Sequence, residues 1–397
     1  MLIRVSIVIL LGLLLGRVMK SLHLPSLVGF LLTGIILGPS VLNVLSPQFL
    51  GLSADLRELA LIVILTRAGL SLDIEELKKV GRPALLMCFV PAMAEIGAAV
   101  VFAPLLFDFS FSEALLLGSV IAAVSPAVVV PRMLKLIQEG YGGKKHIPQI
   151  ILAGASVDDV FVLVLFTAFL GINQGSVFTA GTLLQIPTAI FSGLLIGAII
   201  GWLLAQFFGV YHMRDSIKVL LILSLSFLLM GLEDLLANSF AFSGMLSVMS
   251  LSLMLYRFKK PVAKRLSVKF NKLWLAAEIF LFVLVGASVN LSFAYSAGWK
   301  PFVLILLVSL VRMLGVLLAL AGTDLSAKEK LFCTISYLPK ATVQAAIGSI
   351  PLALGINNGE MILTIAVISI LTTAPIGALG IDLFYTRLLS KDSTKEG

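Results

Sequence analysis

Charge is what this sequence has least of. Of its 397 residues only 13% are Asp, Glu, Lys or Arg, against 59% hydrophobic. A soluble domain carries about 25% charged and about 45–50% apolar residues. The shortage excludes a cytosolic enzyme, a nucleic-acid-binding domain and a receptor with a sizeable ectodomain. Cysteine is nearly missing as well: Cys88 and Cys333 both fall inside apolar runs, which excludes a disulfide framework and reads as two buried thiols. No small-residue cleavage site follows the first apolar run, and Arg17 and Lys20 come after it, not before it. It is therefore expected to be a helix and not a secretory leader.

What the sequence has instead is long apolar runs, with a mean hydropathy of +1.09. Thirteen are long enough to read as membrane-crossing helices, at roughly 2–20, 25–44, 53–71, 83–107, 113–137, 147–171, 183–209, 215–233, 236–256, 271–290, 300–322, 327–355 and 358–386. At about 21 residues each they leave only roughly 125 for loops and tails, so no appended soluble domain is expected. The fold class is an all-α polytopic membrane protein: a single integral membrane unit over 1–386 with a short tail at 387–397.

The formal net charge of +8 does not point to nucleic acid. With the first residue placed outside, 23 of the 29 lysines and arginines fall on one face, and only Arg4, Arg57 and Lys300 on the other. Loops rich in Lys and Arg stay cytoplasmic, so the reading is a multi-pass protein of the cell membrane, N-terminus outside and C-terminus cytoplasmic. Its basicity is topology.

A repeat lies in the offsets. Thr33-Gly34 precedes Ser243-Gly244 by 210 positions, Gly69 precedes Gly286 by 217, Glu95 precedes Arg312 by 217, and Pro126 precedes Pro339 by 213. Four matches in order predict two six-helix units joined by the span 183–209. Partners seven helices apart make the copies inverted. Inverted repeats with breaks in corresponding helices point to a transporter's midplane site.

Charge at the bilayer centre costs at least about 2.5–3.5 kcal/mol per residue on insertion scales, so each buried charge needs a reason. Asp158 and Asp159 lie mid-span and, on a helix, point about 100° apart, so they cannot both face one partner. Crowding two buried carboxylates favours holding a proton, which an arriving cation can displace; that is the chemistry of proton–cation exchange. Lys340 follows Pro339, which removes a backbone donor and frees carbonyls. Pro126 makes the matching break, and Ser125 beside it can offer an oxygen to a hard cation. Glu95 and Arg312, at matching depths, are expected to form a structural ion pair. Arg67 and Glu278 are placed to pair or to snorkel, Glu233 and Asp234 read as solvated, and Gly193, Gly197 and Gly201 read as close helix packing.

Three motifs then carry a likeness. Ser125-Pro126-Ala127-Val128-Val129-Val130-Pro131, the Asp158-Asp159 pair, and Pro339-Lys340-Ala341-Thr342-Val343-Gln344-Ala345-Ala346-Ile347-Gly348 together resemble the sodium/proton antiporters of the cation–proton antiporter superfamily. The branch of the animal mitochondrial and plasma-membrane NHA exchangers is the most alike. The resemblance covers nearly the whole chain and implies the NhaA-like antiporter fold, with two inverted repeats and crossed broken helices. It implies a homodimer whose scaffold is the helices over about 2–71 and 215–290. The mobile core over about 83–171 and 300–386 would move in an elevator-like cycle, with 183–209 as connector. By the same resemblance, Asp159 binds the cation or its exchanged proton, Asp158 pairs with Lys340 and releases it when the cation arrives, and Ser125 lines the site. Asp159 and Asp158 would thus be the protein ligands of the transported Na⁺ (or Li⁺). Na⁺ and H⁺ are substrates, and no cofactor is implied. One departure is Pro126, where the enterobacterial prototype has an Asp, so the coordination shell does not carry across.

Two rivals are weaker. A potassium/proton antiporter shares the fold, but potassium efflux systems usually append a nucleotide-binding domain, and no G-x-G-x-x-G segment occurs here. An intramembrane aspartyl protease needs aspartates on different helices, one in a Gly-x-Gly-Asp turn; here the two are adjacent and no such tetrapeptide exists.

Overall fold

A computed structural model describes residues 2–71, 81–173, 180–236 and 240–391. Lys78, Lys79, Lys395 and the side chain of Asp234 lie outside the described residues. Regular structure among the described residues is helical, apart from a single bridge between Tyr141 and Lys391. Nine of these helices are long and apolar enough to cross a membrane, and the chain is a multi-pass membrane protein. The other four predicted spans fall short of that length or apolarity for visible reasons. Span 25–44 is helical only over Ser26–Leu37, because Gly38 turns extended ahead of Pro39. Within span 236–256, the described residues 240–243 are not helical and lead into the helix Gly244–Phe258. The helix Ser53–Ser71 carries Asp55, Arg57, Glu58 and Arg67, and span 327–355 is cut by a break at residues 337–341.

The chain forms two compact units. The smaller unit comprises 51–73 and 163–281. There the helix Ala180–Val210 packs on Gly244–Phe258 through the predicted glycine row. A Cβ at Gly193, Gly197 or Gly201 would run into the carbonyl of Ser243, Ser247 or Leu251. The close approach lets Ser247 and Ser250 donate across it to the Gly193 and Leu194 carbonyls at 2.8 and 2.7 Å. In this unit Arg67 stands 6.0 Å from the Trp274 ring centre and feels the Glu278 charge.

The larger unit, 1–50, 74–162 and 282–397, carries all the predicted site residues. Its helix Lys300–Ala319 is two-faced. Phe302, Leu306, Leu310 and Leu314, each one turn apart, are exposed, while Leu304, Ile305, Val308, Arg312 and Val316 are buried. An apolar exposed stripe on a membrane helix is the face for lipid, and Arg312 points away from it. Two broken helices lie beside it. The first runs Phe111–Ile121, a non-helical stretch over residues 122–125, then Pro126–Glu139. The second runs Ala327–Ser336, a break over 337–341, then Thr342–Ile347. Each opens on a capping box, Ser110 with Glu113 and Ser326 with Glu329, in which the serine and glutamate side chains satisfy each other's orphan N–H groups. Pro126 sits at the start of its half-helix, where its missing donor costs nothing. Gly377 gives Pro339 its room, because a Cβ there would overlap the proline ring.

Candidate ion-translocation site

The breaks touch: the Ser125 amide donates to the Pro339 carbonyl at 2.8 Å. Breaking a helix leaves carbonyls of the first half and N–H groups of the second without intrahelical partners, and in lipid these need partners from elsewhere in the protein. Here side chains of other helices supply them. The Ile121 carbonyl accepts from Lys340 Nζ at 2.7 Å and from Gln344 Nε2 at 3.3 Å. The Ala122 carbonyl accepts from Arg312 Nη1, and the Ala123 carbonyl from Gln344 Nε2 at 2.8 Å. The Val124 amide donates to Asp158 Oδ2 at 2.8 Å. Across the second break, the Tyr337 carbonyl accepts from Arg312 Nε at 2.9 Å, and the Lys340 amide donates to Thr373 Oγ1 at 3.0 Å. Non-helical backbone at the two breaks is thus held by side chains from both halves of the chain.

Arg312, Asp158 and Lys340 do most of that holding, and Glu95 joins them; each of the four is at most 1% exposed. Arg312 Nη1 meets Glu95 Oε2 at 2.8 Å, and its Nη2 meets Asp158 Oδ2 at 3.1 Å. Lys340 Nζ meets Glu95 Oε1 at 2.5 Å. The expectation that Asp158 pairs with Lys340 needs correction: the lysine's ion pair is with Glu95. The arginine fork spans both acids, taking Oδ2 of Asp158 and Oε2 of Glu95, and the remaining Glu95 oxygen faces the ammonium. A planar guanidinium can bridge two carboxylates in this way, whereas an ammonium acts as a point charge. Two acids and two bases sum to zero formal charge, so the network meets the requirement that buried charge be compensated. Asp159 follows in the same helix, Ile147–Asn173, and is 7% exposed; it adds one formal negative charge to the group.

What these residues can do follows from the oxygens. Among the described residues, Ser125 Oγ, Asp158 Oδ1, Thr342 Oγ1 and Gln344 Oε1 are buried without a hydrogen-bond partner. Orphaned buried oxygens are costly, and hard cations are held by carboxylate, hydroxyl and carbonyl oxygens. The donor set therefore fits a sodium or lithium ion as substrate. Sequence reasoning had assigned no role to Thr342, Gln344 and Thr373, although the first two stand in the quoted Lys340 motif. It also passed over the two capping boxes, where Ser-x-x-Glu at 110–113 and 326–329 recurs at an offset of 216, close to that of the broken helices themselves.

Known proteins agree with this chemistry. A family described as "Sodium/hydrogen exchanger, transmembrane" matches residues 5–385. Sodium/hydrogen exchanger 9B2 of Homo sapiens is 34% identical over 392 residues, covering 93% of this chain and 70% of the relative. Sodium/hydrogen exchanger 9B1 of Homo sapiens is 32% identical over 352 residues, covering 85% of this chain and 67% of the relative. In fold, the chain is similar to the sodium proton antiporter MjNhaP1 of Methanocaldococcus jannaschii, with a TM-score of 0.80 over 96% of this chain and 95% of that one, at 21% identity. With residues 5–385 matched and a relative at 34% identity, the chain belongs to the transmembrane sodium/hydrogen exchanger family.

Proposed function

We propose that this protein exchanges Na⁺ (or Li⁺) for H⁺ across the cell membrane by competition of the two cations for Asp159 and its neighbours. The observation that carries the reading is the charge-neutral network of Glu95, Arg312, Asp158 and Lys340 packed into two touching helix breaks, beside buried oxygens that lack donors. In this reading Asp159 and Asp158 Oδ1 meet the cation, with Ser125 adding a neutral oxygen. Glu95 and Arg312 hold the breaks in place, and Lys340 compensates the acids while capping Ile121. A carboxylate that binds a cation must release its proton, so the two substrates occupy the site in turn. If the four-charge network persists through the cycle, one Na⁺ leaves for each H⁺ and transport is electroneutral.

The topology belongs to the same proposal: N-terminus outside, C-terminus cytoplasmic, with thirteen crossings in two inverted repeats. Its support is a set of polar contacts within the larger unit. On the side assigned as outer, Arg4 donates to the Val44 carbonyl and Asn358 to Glu113. On the side assigned as inner, Arg132 meets Asp382, Lys145 meets Glu329 and Arg82 donates to the Ala321 carbonyl. Each joins loops that the topology puts on one face. The protein works as a homodimer, with the helices over about 83–171 and 300–386 moving against a scaffold over about 2–71 and 215–290.

The test is proton movement in sealed proteoliposomes under a preset pH gradient, on adding Na⁺, Li⁺ or K⁺ in turn. A response to Na⁺ and Li⁺ that Asp159→Asn abolishes supports the proposal. A response to K⁺ alone changes the substrate, and silence with all three overturns it.

A further inference from the structure

Resting on the exchanger reading, we infer that Gln344 is a specificity-determining residue whose side-chain oxygen contacts the transported cation. The placement begins with the break. Gln344 is fully buried on the short helix Thr342–Ile347 that restarts after Lys340. Its amide nitrogen donates to two carbonyls of the other broken helix, Ala123 at 2.8 Å and Ile121 at 3.3 Å. Both are pure acceptors, so they fix which end of the amide faces them: an amide has two N–H donors on nitrogen and only acceptor capacity on oxygen. Oε1 is thereby turned away from the non-helical stretch, and it is buried without a hydrogen-bond partner among the described residues.

The neighbours decide what that oxygen is for. Arg312 and Lys340 both spend donors on the same run of carbonyls, Ala122 and Ile121, so this end of the site is already supplied with cationic donors. A buried acceptor left without a donor is costly, and Gln344 Oε1 is one. It shares that state with Ser125 Oγ, Asp158 Oδ1 and Thr342 Oγ1, all flanking the same two breaks. A neutral carbonyl oxygen adds coordination without adding negative charge, so it strengthens cation binding without a second proton to displace. Because Na⁺ and Li⁺ differ in size, removing one oxygen of fixed position changes their affinities by different factors. Meanwhile the nitrogen ties the cation-facing oxygen to the Ile121 and Ala123 carbonyls, linking one broken helix to the other through one side chain.

The experiment uses the full chain in proteoliposomes and measures KM and kcat for Na⁺ and for Li⁺ separately. Gln344→Asn, one methylene shorter, is expected to raise the Na⁺ KM about tenfold, equivalent to about 1.4 kcal/mol, and to shift the Na⁺-to-Li⁺ KM ratio by more than about threefold. Gln344→Met, of the same length but without the oxygen, takes its place if the Asn protein does not fold. Gln344→Glu, which when protonated keeps one donor and one oxygen, is expected to hold the wild-type ratio. If kcat falls while the KM ratio of the Asn and Met proteins stays at the wild-type value, Gln344 only braces the breaks and the inference is overturned. Absence of any Na⁺ or Li⁺ response in the wild type would instead overturn the exchanger reading beneath it.

Discussion

Replacing Glu95 by glutamine removes one formal charge but leaves two cations without their carboxylate. Arg312 and Lys340 both bond to Glu95, at 2.8 and 2.5 Å, and all three are at most 1% exposed. Removing one member of a buried ion pair costs about 3–5 kcal/mol, because the partner stays buried and uncompensated. Arg312 retains Asp158 at 3.1 Å, so most of that cost falls on Lys340. Lys340→Met, by contrast, leaves Glu95 with its arginine, and the loss is confined to one ion pair and the cap on the Ile121 carbonyl. Glu95→Gln should therefore destabilise the protein more than Lys340→Met. The double variant should recover part of the loss, with a coupling energy of about 1 kcal/mol or more, within the range for residues in direct contact. The assay is equilibrium unfolding in mixed micelles on all four corners of the cycle. Additive losses, or a Lys340→Met protein less stable than Glu95→Gln, would refute the arrangement in which Glu95 serves both cations.

Other expectations bear on transport and on the outer parts of the fold. Asp159→Asn should abolish proton release on adding Na⁺ while the protein stays folded; retained exchange would move the site. Because a protonated carboxylate cannot take the cation, the Na⁺ KM should rise as pH falls, by up to tenfold per pH unit where a single proton competes; a KM flat with pH would exclude simple competition. With the four-charge network intact, the exchange rate should not change when a membrane potential is imposed with valinomycin and K⁺; an accelerating potential would mean more than one proton per sodium. Gly377→Val should lower stability through a clash with the Pro339 ring, by about 1–3 kcal/mol as overpacked cores do, checked by thermal unfolding in detergent.

Much of this protein is set by its sequence before any packing is considered. Apolar runs of membrane length and the skew of 23 among 29 basic residues are local and additive, so they can be read without knowing which helices touch. The prolines at 126 and 339 mark the breaks because a missing N–H and a fixed φ act at the residue itself. The need for Glu95, Asp158, Arg312 and Lys340 to be compensated was equally legible, since charge in lipid always needs a partner.

Which partner was not. Matching depths gave Glu95–Arg312, but the family likeness implied Asp158–Lys340, and the lysine instead faces Glu95. That choice depends on how a guanidinium fork reaches across two helices, a matter of ångströms between segments 154 and 217 residues apart in sequence. Helix lengths shifted for the same kind of reason. The apolar span at 25–44 is helical only to Leu37, because hydropathy records what tolerates lipid and not where the backbone turns. The role of Gln344 was invisible in the chain because a glutamine in an apolar run says only that it needs hydrogen bonds. Tertiary structure decided that its nitrogen would satisfy Ile121 and Ala123 and that its oxygen would be left for something else.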